Sequence, residues 1–451
     1  MNRHINLRRI LAVFLTAVLL IAALYGLSEA VKRKSSYTQY ADFFDEKENF
    51  DVLFFGTSHV LNAVYPMELW KDHGFISYNC GGQSNALATT YWAAQMALEY
   101  TTPSLVVIDC LGITGEAKTS LNSFSYVHLS MDAFPLSRTK IRAVYDLLDD
   151  KEVERLIAED KLVTEEGAWI GQEEERDPIV LLWPFSVYHN RWSSLGRSDF
   201  RPPRNVQKGA ETMIRVSRPN ETAQVPEDEM LEKDTVSIDY LERLITDCQV
   251  RGIDVLLTYL PFPANEEEQL EAHRLYEIAG KYGIGYVNFL DLDVVDYQTD
   301  CFDENSHLNR SGAGKITAWL GDYIASHYDL PDHRDDPAYS SWHEDYERYR
   351  VFQQSLLQGE NDLSKYLMLL ADRNCSFRLS LGDERIFSRT AYRRLLQNIG
   401  IGTDCPIKEL PDADLEIRVF DRDTGEEFDA VQGFFEFNSA GELTGVRLRH
   451  V

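Results

Sequence analysis

Five short segments with apolar interiors constrain the fold of this chain more than any other feature of its sequence. Helical patterns separate most of them along the chain. Strands that are apolar on both faces belong to parallel sheets that helices cover on each side. The predicted strands are 51–55, 76–79, 104–109, 254–259 and 285–289. The sequence therefore predicts an α/β fold, a three-layer sandwich built on a mostly parallel sheet.

A long stretch, 112–234, interrupts this alternation between the third and fourth predicted strands. It contains a helix-like segment, 138–160, and an aromatic segment, 183–192. An insertion of this length either covers the site and shapes a substrate cleft or is a peripheral excursion, and the sequence favours neither. The aromatic segment could contact a sugar, but a packed surface cluster is the preferred interpretation.

An uncharged and almost wholly apolar run lies near the N-terminus, at residues 10–27. As a helix these 18 residues span ~27 Å, about the thickness of a hydrocarbon core. Basic residues precede the run, and no small-x-small cleavage site follows it. The sequence therefore favours an uncleaved membrane anchor, residues 1–34 with a transmembrane helix at about 9–27, over a cleaved signal peptide.

The charge of the chain limits its partners. The formal net charge is −28, and because the first 34 residues carry +5, the remaining residues carry −33. A surface this acidic repels phosphate backbones, which argues against nucleic acid as a partner. It also repels anionic lipid headgroups, so the body is expected to stand off the membrane on its outer side.

The cysteines indicate neither a metal site nor a disulfide framework. None of the six lies in a CxxC pair, so zinc and thioredoxin-like motifs are absent from the sequence. We expect no metal and no other cofactor. Cys375 and Cys405 could pair, but isolated buried thiols are the simpler interpretation.

The pattern changes beyond residue 330. The stretch 339–372 looks helical, and four later segments have strand patterns. Three of these alternate as half-buried antiparallel strands do. We therefore divide the body into a main domain, 35–330, and a small C-terminal α+β module, 331–451, whose role the sequence does not indicate.

The first candidate for chemistry is Phe55-Gly56-Thr57-Ser58-His59, directly after the first predicted strand. Sites in open parallel sheets form at the carboxyl ends of strands. Glycine permits a tight turn there, and a serine after it can present its oxygen at the start of the next helix. Backbone N–H groups at that helix end could stabilise an oxyanion. The simpler alternative is a serine that only caps the helix.

The second candidate is the segment 303–309, Asp-Glu-Asn-Ser-His-Leu-Asn, between the last predicted strand and the last helix of the main domain. A histidine near the start of a helix is disfavoured as a cation, so His307 could serve as a neutral general base. A nearby carboxylate can orient the ring and stabilise the imidazolium that forms. Again, helix capping by these residues is the alternative.

Together the two segments resemble the SGNH/GDSL hydrolase family. FFGTSH is similar to its first block, usually GDS, and DENSHLN is similar to its last block, usually D-x-x-H. Asn79-Cys80-Gly81-Gly82 follows the second strand, where the family has a glycine block. The resemblance covers about residues 50–328 and implies a flavodoxin-like three-layer fold.

The resemblance also implies roles for individual residues. Ser58 would be the nucleophile and His307 the base. The Ser58 N–H, with the N–H of Gly81 or Gly82, would bind the oxyanion. Asn79, His59 and Asp109 are further candidates for lining the site.

Two departures from the family pattern leave questions open. The family spacing puts the orienting acid at Glu304, whereas Asp303 lies one residue further back, and either could serve. The family's third block usually supplies an asparagine to the oxyanion hole, but the third strand here ends in Asp109. An ionised aspartate cannot donate a hydrogen bond, so the oxyanion hole would lack a donor.

The resemblance is closer to the membrane-anchored bacterial cell-surface branch, which often reads GSSH or GTSH and whose relatives act in O-acylation of envelope polysaccharides. It implies a serine-dependent acyl-ester hydrolase or O-acyltransferase that acts on a cell-envelope glycan or polymer. The expected location is the bacterial cell membrane, single-pass with the body outside, and a membrane-embedded acyltransferase is an expected partner. The alternative is a catalytically inactive, membrane-tethered protein of the same fold that binds or assembles.

Overall fold

The structure is a computed structural model, and it describes most of the chain. The described residues are 7–32, 39–40, 42–159, 176–183, 185–200, 204–219, 225–226, 229–304 and 307–451. Parts of the predicted anchor, of the insertion and of the 303–309 segment lie outside these ranges.

Two sheets organise the described residues. Five parallel strands form the first sheet in the order β2-β1-β3-β4-β5. Four antiparallel strands form the second in the order β6-β7-β8-β9. The predicted α/β fold with a parallel sheet is confirmed. The strands are β1 (Val52–Phe55), β2 (Ser77–Asn79), β3 (Leu105–Asp109), β4 (Asp254–Tyr259), β5 (Gly285–Asn288), β6 (Cys375–Leu381), β7 (Leu415–Asp421), β8 (Glu427–Phe437) and β9 (Leu443–His450).

Helices connect the strands and cover the sheets. They are α1 (Leu7–Val31), α2 (Ser58–Ala63), α3 (Pro66–His73), α4 (Leu87–Ala97), α5 (Ser125–Met131), α6 (Arg138–Leu148), α7 (Lys151–Ala158), α8 (Pro178–Leu182), α9 (Phe185–Tyr188), α10 (Arg197–Phe200), α11 (Val236–Val250), α12 (Glu266–Tyr282), α13 (Arg310–His327), α14 (Ser340–Gln358), α15 (Leu363–Leu369) and α16 (Thr390–Asn398). Helix α12 is capped at both ends. Asn265 and Glu268 form a reciprocal capping box, and Gly283 ends the helix at φ 65°.

The parallel sheet lies between two helical layers, as its apolar strands require. Leu53 and Phe55 of β1 pack in one buried cluster with α4, α11 and α12. Their neighbours Val52 and Phe54 pack in a second cluster with α13 on the other face. Alternate side chains of a strand point to opposite faces, so a strand buried on both must be apolar throughout.

The strand order creates a crevice at the carboxyl end of β1. From β1 the chain moves to β2 on one side and then to β3 on the other. At such a switch point the two connections leave in opposite directions, and a gap opens outside the strand ends where ligands bind. The segment with Ser58 leaves β1 at this point.

Between the predicted anchor and about residue 49 the sequence pattern indicates only a linker, and this prediction is wrong for the described part of that segment. Tyr40, Phe43 and Phe50 are each only 2% exposed and belong to the core of the main domain. Phe43 and Phe50 stack with ring centroids 5.3 Å apart. The sequence pattern missed this because three isolated aromatic residues have no strand or helix period.

The insertion is part of the main domain rather than a peripheral excursion. Residues 115–122 line a cavity at the sheet edge, and α5 and α6 pack on the core. The segment 204–217 runs along the outer side of β2 and α2, where the Lys208 carbonyl accepts the Asn79 N–H at 2.9 Å and the Leu61 carbonyl accepts the Glu211 N–H at 2.9 Å. Residues 115–122 fit the cleft-covering interpretation, which stays a prediction for the rest of the insertion.

The C-terminal residues pack helices α14 to α16 with the antiparallel sheet. The stretch predicted as one helix, 339–372, is two, because the chain turns at Gly359 between α14 and α15. Arg310, at the start of α13 and 1% exposed, pairs with Glu68 of the main domain and, at 3.0 Å, with Asp372. This buried charge cluster joins the two parts of the body. Separating them would leave buried charges unpaired, which is strongly destabilising.

The six cysteines are free thiols, so the pairing of Cys375 with Cys405 considered above does not occur in this structure. Five are buried, and burial raises the pKa of the Cys80, Cys248, Cys301 and Cys375 thiols. Among the described residues no group of histidine, cysteine, aspartate or glutamate is arranged to hold a metal ion.

Helix α1 is long and apolar enough to span a membrane, and its apolar stretch is exposed on all sides. Its last turn differs, because Ser28 and Val31 are buried against the insertion. The helix therefore joins the body directly at this turn.

Candidate active site

A glycine turn places Ser58 at the head of a helix. Gly56 has φ 152°, and a Cβ on it would lie 2.7 Å from Cγ2 of Val60 and 2.9 Å from Cβ of Asp109. Only glycine fits this approach. Thr57 then caps α2, its hydroxyl accepting the His59 N–H at 3.2 Å. Ser58 is the first residue of the helix, where backbone N–H groups have no partner within the helix.

Asn79 holds α2 from beneath rather than lining the site. It is fully buried, and its amide donates to the carbonyls of Val60 at 2.7 Å and Val64 at 2.8 Å. Its Oδ1 accepts the Gly81 N–H at 3.0 Å. One side chain thus ties the end of β2 to the helix that carries Ser58.

The predicted oxyanion donors Gly81 and Gly82 are already engaged. The Gly81 N–H donates to Asn79, and the Gly82 N–H donates to the Gly56 carbonyl at 3.0 Å. Of the N–H groups proposed from the sequence, only that of Ser58 keeps the open position of a helix start. Gly82 has another role, because a side chain there would overlap the amide of Asn85.

The loop before α13 is a closed hairpin that carries His307. Cys301 and Leu308 pair across it, and the Phe302 N–H donates to the His307 carbonyl at 2.8 Å. Asn309 caps α13 and donates to the carbonyls of Thr299 and Cys301. The helix begins three residues after His307, so the histidine is held by the hairpin rather than by the helix itself.

Ser58, His307 and Asp303 form a connected hydrogen-bond chain. Both oxygens of Asp303 bind His307: Oδ1 accepts its backbone N–H at 3.0 Å, and Oδ2 accepts from Nδ1 at 2.5 Å. Because Nδ1 carries the proton, Nε2 is the acceptor, and the Ser58 hydroxyl donates to it at 2.8 Å. The residues are 249 apart in sequence. This is the arrangement of a hydroxyl nucleophile, its base and an orienting acid.

This geometry distinguishes between the two candidate acids, Asp303 and Glu304. Asp303 contacts His307 twice, whereas Glu304 is exposed at the outer side of the hairpin. Residues 305 and 306, between the acid and the histidine, lie outside the described residues.

His59 lies behind His307 in a dry environment. It is 6% exposed, with its ring centroid 5.6 Å from that of His307 and 4.8 Å from that of Phe262. Burial first, and then the nearby His307, lower the pKa of His59 to about 3. His59 is therefore a neutral wall of the site at ordinary pH.

Asp109 does not line the cavity. It is 1% exposed and packs against the Gly56 turn, with Oδ1 accepting the Leu260 N–H at 2.8 Å. Burial raises its pKa to about 7. Its carboxyl therefore acts on the turn that positions Ser58 rather than on a bound molecule.

An open cavity of about 380 Å³ lies over Ser58 and His307. Leu111 and Leu121 contribute apolar surface, but most of its polar lining consists of hydroxyl and amide side chains. These are Thr57, Ser84, Asn85, Thr119, Ser120, Asn122 and Ser237.

Asn85 is a site residue that the sequence analysis missed. It lines the cavity with Ser58, is 6% exposed, and its Oδ1 accepts the Ser130 hydroxyl at 2.5 Å. That bond orients the amide, because Oδ1 faces Ser130 and Nδ2 is left as the donor. The available signal was its place three residues after the Gly81-Gly82 pair, in the loop between β2 and α4.

Comparisons with known proteins find few similar structures. Neither a protein-family model nor a curated protein matches the chain. A GDSL-like lipase of Bacteroides thetaiotaomicron VPI-5482 has a TM-score of 0.31 and 12% identity, covering 66% of this chain and 100% of its own. A provisionally assigned acylhydrolase of Bacteroides fragilis NCTC 9343 has a TM-score of 0.30 and 12% identity, covering 65% and 98%. The interpretation of the site therefore rests on its own geometry.

Asp109→Asn should change how stability depends on pH. The raised pKa of Asp109 means that the folded protein holds this proton more tightly than the unfolded chain. The contribution of the protonated Asp109 carboxyl to the free energy of unfolding is therefore complete below about pH 4 and is lost as the pH rises through about 7. At pH 8 the penalty is on the order of 4 kcal/mol, and asparagine removes it. Thermal unfolding should show that the stability of Asp109→Asn relative to the wild type is greater at pH 8 than at pH 5.

Asp254→Asn, at an exposed position of the same sheet, is the matched control and should show no such gain. A difference between Asp109→Asn and wild type that is the same at both pH values would contradict the assignment.

Proposed function

We propose that this protein is a serine-dependent esterase or O-acyltransferase in which Ser58 is the nucleophile. The observation that carries the proposal is the chain of hydrogen bonds from Ser58 through His307 to Asp303, with Oγ and Nε2 2.8 Å apart. A structural serine does not need a histidine whose other nitrogen is held by a carboxylate.

The reaction follows from these contacts. The Ser58 oxygen attacks the carbonyl carbon of an ester while Nε2 of His307 takes the hydroxyl proton. The tetrahedral intermediate collapses, and His307 returns the proton to the departing alcohol, which leaves an acyl-serine. Water, or a sugar hydroxyl, then attacks the acyl carbon while its proton passes to His307. The bond to Ser58 breaks, His307 returns that proton to the Ser58 oxygen, and an acid or a new ester is released. Asp303 stabilises the imidazolium in both steps.

The oxyanion would be bound by the Ser58 N–H and the Asn85 amide. Support comes from the open N–H at the head of α2 and from an amide oriented by Ser130 in the same cavity. In this arrangement Asn85, after β2, replaces the asparagine that the end of β3 lacks. A side-chain donor also relieves the need for the engaged N–H groups of Gly81 and Gly82.

The cavity lining suits a hydrated, polyhydroxylated substrate. Hydroxyl and amide side chains can exchange hydrogen bonds with sugar hydroxyls, while Leu111 and Leu121 offer room for a short acyl group such as acetyl. With α1 as a membrane anchor, a cell-envelope glycan or polymer outside the membrane is the substrate class we propose. A membrane-embedded acyltransferase is the proposed partner for a transfer reaction.

The alternative is a membrane-tethered protein that binds but does not turn over. The engaged Gly81 and Gly82 N–H groups favour it, because loss of one oxyanion donor costs roughly 10²–10³ in rate. The hydrogen-bonded Ser58 and His307 favour the enzyme. Covalent labelling distinguishes the two, because only an activated serine reacts rapidly with a fluorophosphonate.

Ser58→Ala should abolish fluorophosphonate labelling and lower hydrolysis of 4-nitrophenyl acetate by roughly 10⁴-fold or more, since the nucleophile is gone. Labelling is read on a gel, and hydrolysis by absorbance. Ser120→Ala removes a hydroxyl from the same cavity and should keep both signals. Full activity of Ser58→Ala would sink the proposed mechanism, and an unlabelled wild type would favour the binding protein.

Asp303→Asn and Glu304→Gln form a matched pair of neutralised acids. Asp303→Asn should reduce kcat by roughly 10³–10⁴, because the wrong tautomer of His307 is then favoured. Glu304→Gln should leave kcat within about twofold, since an exposed carboxylate without contact to His307 contributes little. Equal losses in the two variants would show that the acid is misassigned.

Asn85→Ala should lower kcat by roughly 10²–10³ with little change in KM, because an oxyanion donor acts only in the transition state. Asn122→Ala is the control, since Asn122 is an exposed amide on the rim of the same cavity. Ser130→Ala should have an intermediate effect, because the amide stays but loses the hydroxyl that orients it. If Asn85→Ala behaves like Asn122→Ala, the donor lies elsewhere.

A further inference from the structure

The last turn of α1 is fastened to one segment of the insertion. Ser28 is 1% exposed, and its hydroxyl accepts the Phe185 N–H at 3.1 Å. Arg191 donates to the final carbonyls of the helix, that of Val31 at 2.8 Å and that of Lys32. A cation at this position also complements the negative end of the helix dipole. We call residues 178–183 and 185–200, which include α8, α9, a 3₁₀-helix at His189–Ser194 and α10, the collar.

The collar exposes large apolar side chains to solvent. Trp192 is 71% exposed, Phe200 66% and Ile179 63%. Single exposed apolar residues are common on protein surfaces. Here, however, three lie on short helices of one segment, and the 3₁₀-helix and α10 contact α1 directly. An apolar surface next to an apolar helix indicates a shared environment.

The charge of this segment is opposite to that of the body. The collar contains two arginines, Arg191 and Arg197, and one aspartate, in a chain whose formal net charge is −28. Asp199 is bound to Arg191 at 2.8 Å, so the single acid is neutralised within the collar. Aromatic residues and arginines together are the composition of membrane–water interfaces.

We propose that the collar lies in the headgroup region of the bilayer beside the exit of α1, with Trp192 and Phe200 reaching the acyl boundary. The proposal rests on α1 spanning the membrane, but it is independent of catalysis. It reverses the expectation that the acidic body stands off the membrane, because the surface next to α1 is aromatic and carries a net positive charge rather than the negative charge of the body.

The collar would then set the height of the active site. The ring of Tyr188 in α9 contacts that of His128 in α5, with centroids 6.2 Å apart. Two residues further along α5, Ser130 holds Asn85 in the cavity wall. This continuous packing keeps the cavity at a constant distance from the lipid surface. If the proposed function holds, which the position of the collar does not require, the substrate is then a polymer presented close to the membrane.

Bromolipid quenching of tryptophan fluorescence tests the proposal on the full chain. The protein is reconstituted into vesicles of phosphatidylcholine and phosphatidylglycerol, 3:1, with or without dibromination high in the acyl chains. Helix α1 contains no tryptophan, so quenching reports on the body. The wild type should be quenched, and Trp192→Phe should lose that component. A conservative change at an exposed site is not expected to disturb folding.

The control moves the indole elsewhere. In Trp192→Phe/Ile407→Trp the new tryptophan lies at an exposed position of the C-terminal module and should not restore quenching. Equal quenching of the wild type and Trp192→Phe would overturn the collar proposal. Release of the protein from the vesicles by alkaline carbonate would also overturn it, because α1 would then not span the membrane. Neither result bears on whether Ser58 is labelled, so the proposed function is tested separately.

Discussion

Parallel pairing of β1 with both β2 and β3 is the constraint on which the rest of the structure depends. Because all three strands end at the same edge, the turns after them converge, and the reversal of strand order at β1 opens the space above them. The Ser58 turn, the Asn85 loop and the cavity wall at residues 111–122 all start from this edge. Without it, a serine and a histidine 249 residues apart would have no reason to meet.

The convergence of these turns is crowded, and the crowding explains the residue types found there. Gly56 allows β1 to turn against Asp109, and Gly82 allows the Asn85 amide to approach. Asn79 pairs with the carbonyls of Val60 and Val64 and with the Gly81 N–H, so these particular buried groups are satisfied. These residues support the site by fixing backbone positions, while Ser58, His307 and Asp303 carry the chemistry we propose.

The insertion serves more than one purpose. Its first part closes one side of the cavity, and its middle part fastens the end of α1. Its last described part runs beside β2 and reaches Cys301 in the hairpin of His307, where Ser217 pairs with it. A single stretch of chain therefore connects α1, the cavity wall and the hairpin of His307, and we expect that its removal would not leave the main domain intact.

The sequence by itself determined the α/β class, the positions of the five parallel strands and the pair Ser58 and His307. Apolar strands and capped helices have local signals, and the two motifs follow a strand and precede a helix. The choice of Asp303 over Glu304 depended on the path of a hairpin, which spacing alone does not define. The engagement of Gly81 and Gly82, the burial of Asp109 and the position of Asn85 were decided by tertiary structure. Hydrogen-bond partners and burial depend on segments distant in sequence, and a local pattern contains no information about them.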